Sequence, residues 1–378
     1  MKDTKIYAWY FPNWHPTPLN DGWHGKNWTE WEVVKCARPR FDGHYQPRVP
    51  LWGYEDESDP NVFAKKINTA KKYGLDGFIF DFYWFKDLGP YRRDCLDNGF
   101  LKAENNEECE FSVMWCNHDP IYAHPAPYKF EGFELASGDV DEEFFREVTD
   151  FCIENYFPKN NYQTVEGKKY FGIWNIGKMV DNFGSAEEFG KILEDFRGRA
   201  KKAGFEVYIS ACRTFFPGFN DKNKELFEKV ADILKIDSLF DYDGGVHDPK
   251  ITSFIDWPKV EYSIVRDRLY EKAIEDEEFS KVPLEFGVSV GWDVSPRTVQ
   301  SDMYENRGYP FSPIAINATP DELFKTFTMA RKYIESGKSR GKMLTIACWN
   351  EWTEGSYLEP DEKYGYGALE ALKKAFDK

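Results

Sequence analysis

Two glutamates stand among tryptophans near the C-terminal end of the chain, in the run Trp349-Asn350-Glu351-Trp352-Thr353-Glu354, directly after an apolar strand-like stretch. Cleavage of a glycosidic bond needs one carboxyl group that protonates the leaving oxygen and a second, ionised one that removes a proton or attacks. Neighbouring glutamates shift each other's pKa values apart, and indole rings offer the apolar faces on which sugars stack. The pattern favours carbohydrate chemistry at Glu351 and Glu354; the alternative is a solvated pair on an exposed helix face.

Composition narrows the class of protein. The chain has 378 residues, 18% of them aromatic, and a formal net charge of -16. That length fits one α/β barrel with insertions. The aromatic residues either line a surface groove or seal a large barrel against its helices. The negative charge argues against nucleic-acid and anionic-membrane partners, which require clustered lysine and arginine, whereas a neutral oligosaccharide or polysaccharide has no such requirement.

Neither a cofactor nor a metal is expected. The seven cysteines are scattered and form no CxxC pair, so no disulfide framework or zinc site is indicated. No glycine-rich phosphate-binding motif is present. Asp241-Tyr242-Asp243 is the one D-x-D run considered as a metal site, and we interpret it as polar lining of a binding site rather than as metal ligands.

The N-terminal residues lead directly into a strand-like run, without an apolar signal region. No run of the sequence reaches transmembrane length. We therefore expect a cytoplasmic protein. The alternative is a periplasmic or secreted protein whose export signal has been removed.

Apolar strand-like runs alternate with amphipathic helical stretches along the chain. The predicted strands are Ile6–Phe11, Gly77–Phe85, Phe111–Asn117, Tyr170–Asn175, Val207–Arg213, Leu239–Asp243, Leu284–Asp293 and Met343–Glu351. The predicted helices cover about 60–73, 141–155, 185–203, 221–234, 258–275, 319–335 and 367–377. Eight strands alternating with helices predict a parallel sheet that closes into a (β/α)8 TIM barrel.

No repeat or linker divides the sequence, so residues 1–378 are predicted to form a single catalytic domain with elaborated loops at about 12–58, 86–109, 118–140 and 293–318. Alternation places Asp81 and Tyr83 inside the barrel, opposite Phe78, Phe80 and Phe82. In the last strand it places Trp349 and Glu351 inside. Polar and aromatic residues gather at the C-terminal ends of the strands, where barrel enzymes build their active sites.

Motifs at both ends of the chain carry a family resemblance. The N-terminal ones are Trp9-Tyr10-Phe11-Pro12-Asn13-Trp14-His15-Pro16, Thr29-Glu30-Trp31 and Gly43-His44-Tyr45-Gln46-Pro47, and the C-terminal one extends from Trp349 to Tyr366. The sequence resembles WbsX-type proteins, which are related to glycoside hydrolase family 99. It departs from them after the third strand, where Trp115-Cys116-Asn117-His118-Asp119-Pro120 replaces their Trp-Ala-Asn-Glu-Asn-Trp type of run.

The resemblance implies a (β/α)8 barrel and a retaining, endo-acting hydrolase of an α-linked glycan that needs no cofactor. In family 99 the 2-hydroxyl of the sugar is thought to act as the nucleophile, through a 1,2-anhydro intermediate. By similarity, Glu351 deprotonates that hydroxyl, and Glu354 protonates the departing oxygen and later activates water. Two alternatives stay open: a glycosyltransferase of surface-polysaccharide synthesis, which is how WbsX-type proteins are commonly labelled, and a noncatalytic carbohydrate-binding barrel.

The candidate substrate-binding residues come from the shared motifs and from the strand ends. His15 and His44 either bond sugar hydroxyls or are structural, and Glu30 either binds substrate or anchors the first long loop. Asp81, an inward carboxylate that needs partners, is interpreted as functional. The full candidate set is Tyr10, His15, Glu30, Trp31, His44, Gln46, Asp81, Tyr83, Asn117, Asn175, Arg213, Trp292, Asp293, Asn350, Trp352 and Tyr357.

Overall fold

The computed structural model describes residues 4–126, 134–242 and 245–377. Eight parallel strands form the barrel: β1 (Lys5–Tyr10), β2 (Gly77–Phe85), β3 (Glu110–Trp115), β4 (Lys168–Ile173), β5 (Val207–Cys212), β6 (Ser238–Phe240), β7 (Phe286–Ser289) and β8 (Met343–Ala347). They pair in the order β7-β8-β1-β2-β3-β4-β5-β6. Leu239 closes the ring, because its amide donates to the carbonyl of Pro283 and its own carbonyl accepts from the Glu285 amide, each at 2.8 Å. The predicted TIM barrel is confirmed.

The α-helices of the described chain are α1 (Pro18–His24), α2 (Trp31–Cys36), α3 (Pro60–Lys72), α4 (Glu142–Asn155), α5 (Ile176–Asn182), α6 (Ala186–Lys202), α7 (Lys224–Leu234), α8 (Tyr262–Phe279), α9 (Pro320–Glu335) and α10 (Gly367–Phe376). Several of these helices begin with a polar capping residue. At the start of α3, for example, the carboxylate of Asp59, which precedes Pro60, accepts a hydrogen bond from the Asn61 amide. The seven predicted helices are present. The short helices α1, α2 and α5 were not predicted. Among the described residues, no helix has the length and apolar character needed to cross a bilayer.

Two apolar layers surround the strands. The outer layer, between strands and helices, contains Phe78, Phe80 and Phe82 of β2, and the inner layer contains Tyr83. The predicted alternation of β2 is therefore confirmed. In β1 the same alternation sends Tyr10 outward, where its ring packs 4.8 Å from that of Phe80.

The chain leaves the barrel earlier than predicted after β8. The strand ends at Ala347, and the alternation that predicted an inward Trp349 fails beyond that residue. The Trp349 ring instead packs against Phe78 in the outer layer, at 5.0 Å. Asn350–Glu351 then pairs antiparallel with Ser356–Tyr357, and a 3-10 turn spans Trp352–Glu354 between them. This short hairpin places Glu351 at the C-terminal opening of the barrel.

Candidate active site

A cavity of about 600 Å³ opens at the C-terminal ends of the strands. Such a volume is typical of small-molecule sites. Of the predicted site residues, five line this cavity: Asp81, Tyr83, Trp292, Glu351 and Glu354. The structure thus brings both motif glutamates into one aromatic-walled hollow.

Arg297 joins the two glutamates. Its Nη2 donates to Glu351 Oε1 at 2.8 Å, and its Nη1 lies 3.1 Å from Glu354 Oε1. The Tyr309 hydroxyl donates to the same Glu354 oxygen at 2.9 Å and also contacts Arg297. Arg297 belongs to a 3-10 turn, Ser295–Thr298, that follows β7. The fixed fork of a guanidinium suits this bridging of two carboxylates.

Burial raises the pKa of Glu351 well above its ordinary value, and the nearby charge of Glu354 adds to the rise. Arg297 opposes both effects without cancelling them. For Arg297 itself, burial alone would lower the pKa, but Tyr309, Glu354, Glu30 and Glu351 together raise it. The arginine therefore stays charged, while Glu351 holds its proton more tightly than an exposed glutamate does.

Glu30 lies behind this pair and is fully buried. It accepts from Asn13 Nδ2 at 2.6 Å and from the Thr353 hydroxyl, and its Oε1 lies 3.2 Å from Arg297 Nη2 and 3.3 Å from His124 Nε2. Although burial would raise the pKa of Glu30, His124 and Arg297 hold it well below the ordinary value. These contacts tie the first long loop to Arg297 and to the Glu351–Glu354 turn.

Asp81 is a third carboxyl group on the cavity wall. Its Oδ2 accepts from the Tyr242 hydroxyl at 3.1 Å, and its buried Oδ1 has no hydrogen-bond partner among the described residues. Burial raises the pKa of Asp81 to about 8, against the opposing effects of Tyr242 and Arg92. At neutral pH the group is therefore largely protonated and can donate a hydrogen bond.

A buried ionic cluster supports the motif from the outer side of the barrel. Lys66 pairs with Glu57 and lies 2.6 Å from Glu359 Oε1. Glu359 accepts from the indole nitrogens of Trp349 and Trp352, each at 2.8 Å. On the other side of the cluster, Asn350 Nδ2 donates to Glu57 Oε1 at 3.1 Å and to the Phe11 carbonyl at 2.9 Å. The residues flanking Glu351 are thus held from both sides by one cluster.

Asp293 organises the loop after β7. Its Oδ2 lies 2.8 Å from His44 Nε2 and accepts from Gln46 Nε2 at 2.7 Å, and Arg48 lies 3.2 Å away. Despite its burial, His44 and Arg48 hold the pKa of Asp293 well below its ordinary value. The structure places His44, Gln46 and Asp293 together in this anchor rather than on the wall of the large cavity.

The other predicted residues lie away from the cavity wall. Tyr10 contacts Lys66 at 3.1 Å. The Trp352 ring stacks on that of Tyr357, with ring centres 3.8 Å apart, and its centre lies 5.9 Å from that of Trp31. Asn117 and Asn175 join the ends of β3 and β4 through two hydrogen bonds of 2.8 Å. Arg213 pairs with Asp241 and Asp276, and His15 is buried with a pKa lowered to about 4 by burial. With His44, Tyr357 also lines a separate cavity of about 350 Å³.

Sequence reasoning missed Arg297, Tyr309 and Arg92. All three line the cavity from irregular segments, where no periodicity marks a residue as inward-facing. The aromatic richness of the predicted loops 86–109 and 293–318 was the one available signal. Within the described ranges, no cluster of three or more His, Cys, Asp or Glu side chains is arranged to hold a metal ion. Asp243, of the D-x-D run, lies outside the described residues.

Solved structures share this fold over the whole chain. A glycoside hydrolase family 99 endo-α-mannosidase from Bacteroides thetaiotaomicron, in complex with bis-tris-propane, matches with a TM-score of 0.59 at 13% identity, covering 100% of this chain and 97% of that one. A glycoside hydrolase-like protein matches with a TM-score of 0.61 at 15% identity, covering 100% and 94%. At such identities the likeness shows the fold alone.

The curated relatives are two proteins named WxcX, from the ATCC 33913 and B100 strains of Xanthomonas campestris pv. campestris. Each is 25% identical over 394 residues, covering 98% of this chain and 49% of the relative. The chain thus spans about half the length of the curated relatives that it matches. A family model described as "Glycosyltransferase WbsX" matches residues 6–372, and the chain therefore belongs to the WbsX family.

Proposed function

We propose that the protein is a glycoside hydrolase that cleaves an α-linked glycan internally and with retention, through a 1,2-anhydro sugar. One observation carries the proposal: the carboxyl groups of buried Glu351 and half-buried Glu354 share the guanidinium of Arg297 on the wall of a cavity of about 600 Å³. A proton acceptor and a proton donor are thereby offered to one bound sugar.

In the first step Glu351 takes the proton of the 2-hydroxyl, and the freed oxygen attacks C1 as the glycosidic bond breaks. Glu354 gives its proton to the departing oxygen. In the second step Glu354 removes a proton from water, which attacks C1 and opens the three-membered ring, while Glu351 returns its proton to the 2-oxygen. Two inversions at C1 give net retention.

The raised pKa of Glu351 suits the role of base. Once it is ionised, a carboxylate that binds its proton more tightly is a stronger base. Arg297 and Tyr309 both contact Oε1 of Glu354, so its Oε2 is available for the proton that the donor role requires.

The cavity also offers surfaces for sugar rings. The Trp174 ring lies 5.3 Å from that of Tyr242 and 5.2 Å from that of Phe215, and all three line the cavity with Trp292. Sugars stack on such faces through their C–H groups while their hydroxyls bond to polar neighbours. Asp81 lines the cavity beside this aromatic wall, and we assign to it a hydrogen bond with a sugar hydroxyl.

A polysaccharide digestion screen tests the proposal, with the anomeric configuration of the first product read by NMR. Glu351→Gln and Glu354→Gln should each reduce cleavage by about 10²- to 10⁴-fold, since each loses a proton transfer. Glu362→Gln alters an exposed glutamate of the same segment and should cleave normally. Undiminished cleavage by both active-site variants would overturn the assignment.

The family description favours a second candidate, a glycosyltransferase. It predicts that a nucleotide sugar binds to the wild-type protein in calorimetry and that the sugar is transferred to an acceptor glycan. Hydrolysis without such binding would exclude it, whereas transfer without release of reducing ends would replace the hydrolase proposal.

A further inference from the structure

Arg92 is a buried cation on the wall of the same cavity. The residue is 8% exposed, and its Nε has no hydrogen-bond partner among the described residues. The residue follows the short strand Gly89–Tyr91 and adopts a φ of 60°, in the left-handed region that side chains other than glycine rarely occupy. Such backbone conformations concentrate at functional sites.

Aromatic rings surround the guanidinium. Its Cζ lies 4.4 Å from the ring centre of Tyr91, 4.8 Å from that of Tyr83 and 4.9 Å from that of Phe11. Burial would lower the pKa of Arg92, but Tyr91, Tyr83 and Glu30 raise it, so the charge persists. Ring faces offset part of the cost of removing a cation from water, but a buried charge normally also has an ionic partner.

Arg92 lacks such a partner within the described ranges, where no carboxylate lies within ion-pair distance of it. The other buried arginines of this end of the barrel differ: Arg297 contacts Glu30, Glu351 and Glu354, and Arg213 contacts Asp241 and Asp276. Among these three buried arginines, as far as the structure describes them, Arg92 is therefore the one without a carboxylate in direct contact, although Glu30 stabilises its charge from a distance.

Neighbouring groups can accommodate an anion. His118 lines the cavity, and its buried Nδ1 has no described hydrogen-bond partner. Burial and the charge of Arg92 lower the pKa of His118 to about 4, so the neutral ring can donate one N–H. Asp81, with its pKa of about 8, is largely protonated at neutral pH, so it does not strongly repel an anionic group of a ligand.

We propose that Arg92 and His118 form a subsite for an anionic substituent on the glycan: a uronate carboxylate, a sulfate ester or a phosphate ester. The inference rests on the proposed function, because it assigns a substrate class to the same cavity. The subsite concerns glycan binding alone, so a protein without hydrolytic activity could also have it.

The test uses the full chain with Glu351→Gln and Glu354→Gln, so that bound glycans stay intact. It is applied to an array of oligosaccharide pairs that differ only in a carboxylate, a sulfate ester or a phosphate ester. At least one anionic member should bind tenfold or more tightly than its neutral partner, which is the scale of one charged hydrogen bond. Added Arg92→Gln should abolish that preference, and added Arg92→Lys should retain part of it.

Arg93→Gln is the matched control. Arg93 pairs with Asp97 at 2.8 Å and stacks on Phe151, away from the cavity lining, so its loss should leave the preference intact. Equal binding of anionic and neutral partners, or a preference that survives Arg92→Gln, would overturn the inference. Hydrolysis of neutral glycans alone by the wild type would overturn it while sparing the proposed function. Selective binding of anionic glycans without any hydrolysis would support the anionic subsite and contradict the proposed hydrolase function.

Discussion

Arg297 and Glu351 lie 54 residues apart in the chain, and Nη2 of the arginine donates to Oε1 of the glutamate at 2.8 Å. The contact joins the turn after β7 to the turn after β8. It also sets the ionisation of the candidate base, because burial and Glu354 raise the pKa of Glu351 while Arg297 lowers it. The ionisation of Glu351 thus depends on a residue outside its own motif.

Arg297→Lys should therefore reduce kcat/KM by about 10²- to 10³-fold, the scale of one lost electrostatic contact in an active site. A single ammonium keeps the charge but cannot reproduce the fork that reaches both glutamates. Steady-state kinetics on the substrate found by digestion measure the effect.

Arg331→Lys provides the comparison for Arg297→Lys, since Arg331 pairs with the exposed Asp377 and is remote from the cavity. Its kinetics should match the wild type. If Arg297→Lys retained half of the wild-type activity, the bridge would have no role in the reaction.

The sequence allowed the scaffold to be predicted better than the site. The apolar run predicted the bounds of β2, Gly77–Phe85, and alternation along it predicted the inward position of Asp81, because a buried strand keeps its period for its whole length. Beyond Ala347 the period ends, and the inward placement of Trp349 was wrong because the chain turns out of the sheet there. Periodicity says nothing about residues in such turns.

The residues that contact the two glutamates could not be predicted from the sequence, for a related reason. Arg297 and Tyr309 come from the loop after β7, and their contacts with Glu354 depend on how that loop folds over the barrel. Motif matching grouped Tyr10 with the site, although alternation in β1 sends its side chain to the outer layer. A motif records which residues occur together but not which side of a strand each one occupies.

The separate roles proposed for the two glutamates predict different responses to the leaving group. Glu354→Gln removes the proton donor, so it should impair natural glycans by about 10²- to 10⁴-fold and aryl glycosides with acidic phenols much less. Glu351→Gln removes the base that forms the nucleophile, so it should impair both substrates similarly. Rates measured across a series of substituted phenols distinguish the two variants. Equal leaving-group dependence in both would contradict the assignment.

Asp81 predicts a pH-dependent stability. Its pKa is about 8 in the folded protein against an ordinary value of 3.8, so the folded state binds the extra proton between about pH 4 and pH 8. Stability from this group is therefore complete below pH 4 and is lost as the pH rises toward 8. Asp81→Asn removes the ionisation, so the variant should unfold at a higher temperature than the wild type at pH 8, with the difference vanishing near pH 4.

Each unit of pKa shift corresponds to about 1.4 kcal/mol, so the difference at pH 8 should reach several kcal/mol in the free energy of unfolding. Calorimetry at both pH values measures it. Asp81→Ala, which removes both the carboxyl and any hydrogen-bond donor in its place, should bind glycan less well, because the proposed bond to a sugar hydroxyl is lost. Asp302→Asn, at an exposed aspartate, should change neither quantity. A gain in stability that is equal at pH 4 and pH 8 would contradict the titration argument.

The buried cluster beneath the motif predicts a structural effect on catalysis. Lys66→Met leaves Glu57 and Glu359 buried without their cation, and breaking a buried pair in this way costs about 3–5 kcal/mol. Because these carboxylates hold Asn350, Trp349 and Trp352, we also expect kcat to fall more than KM rises. Lys65→Met removes the adjacent lysine, which pairs with Glu55 at the partly exposed surface and should contribute less than about 1 kcal/mol. Denaturant unfolding and steady-state kinetics on both variants test the contrast, and equal behaviour of the two would show that the cluster neither stabilises the barrel nor positions the glutamates.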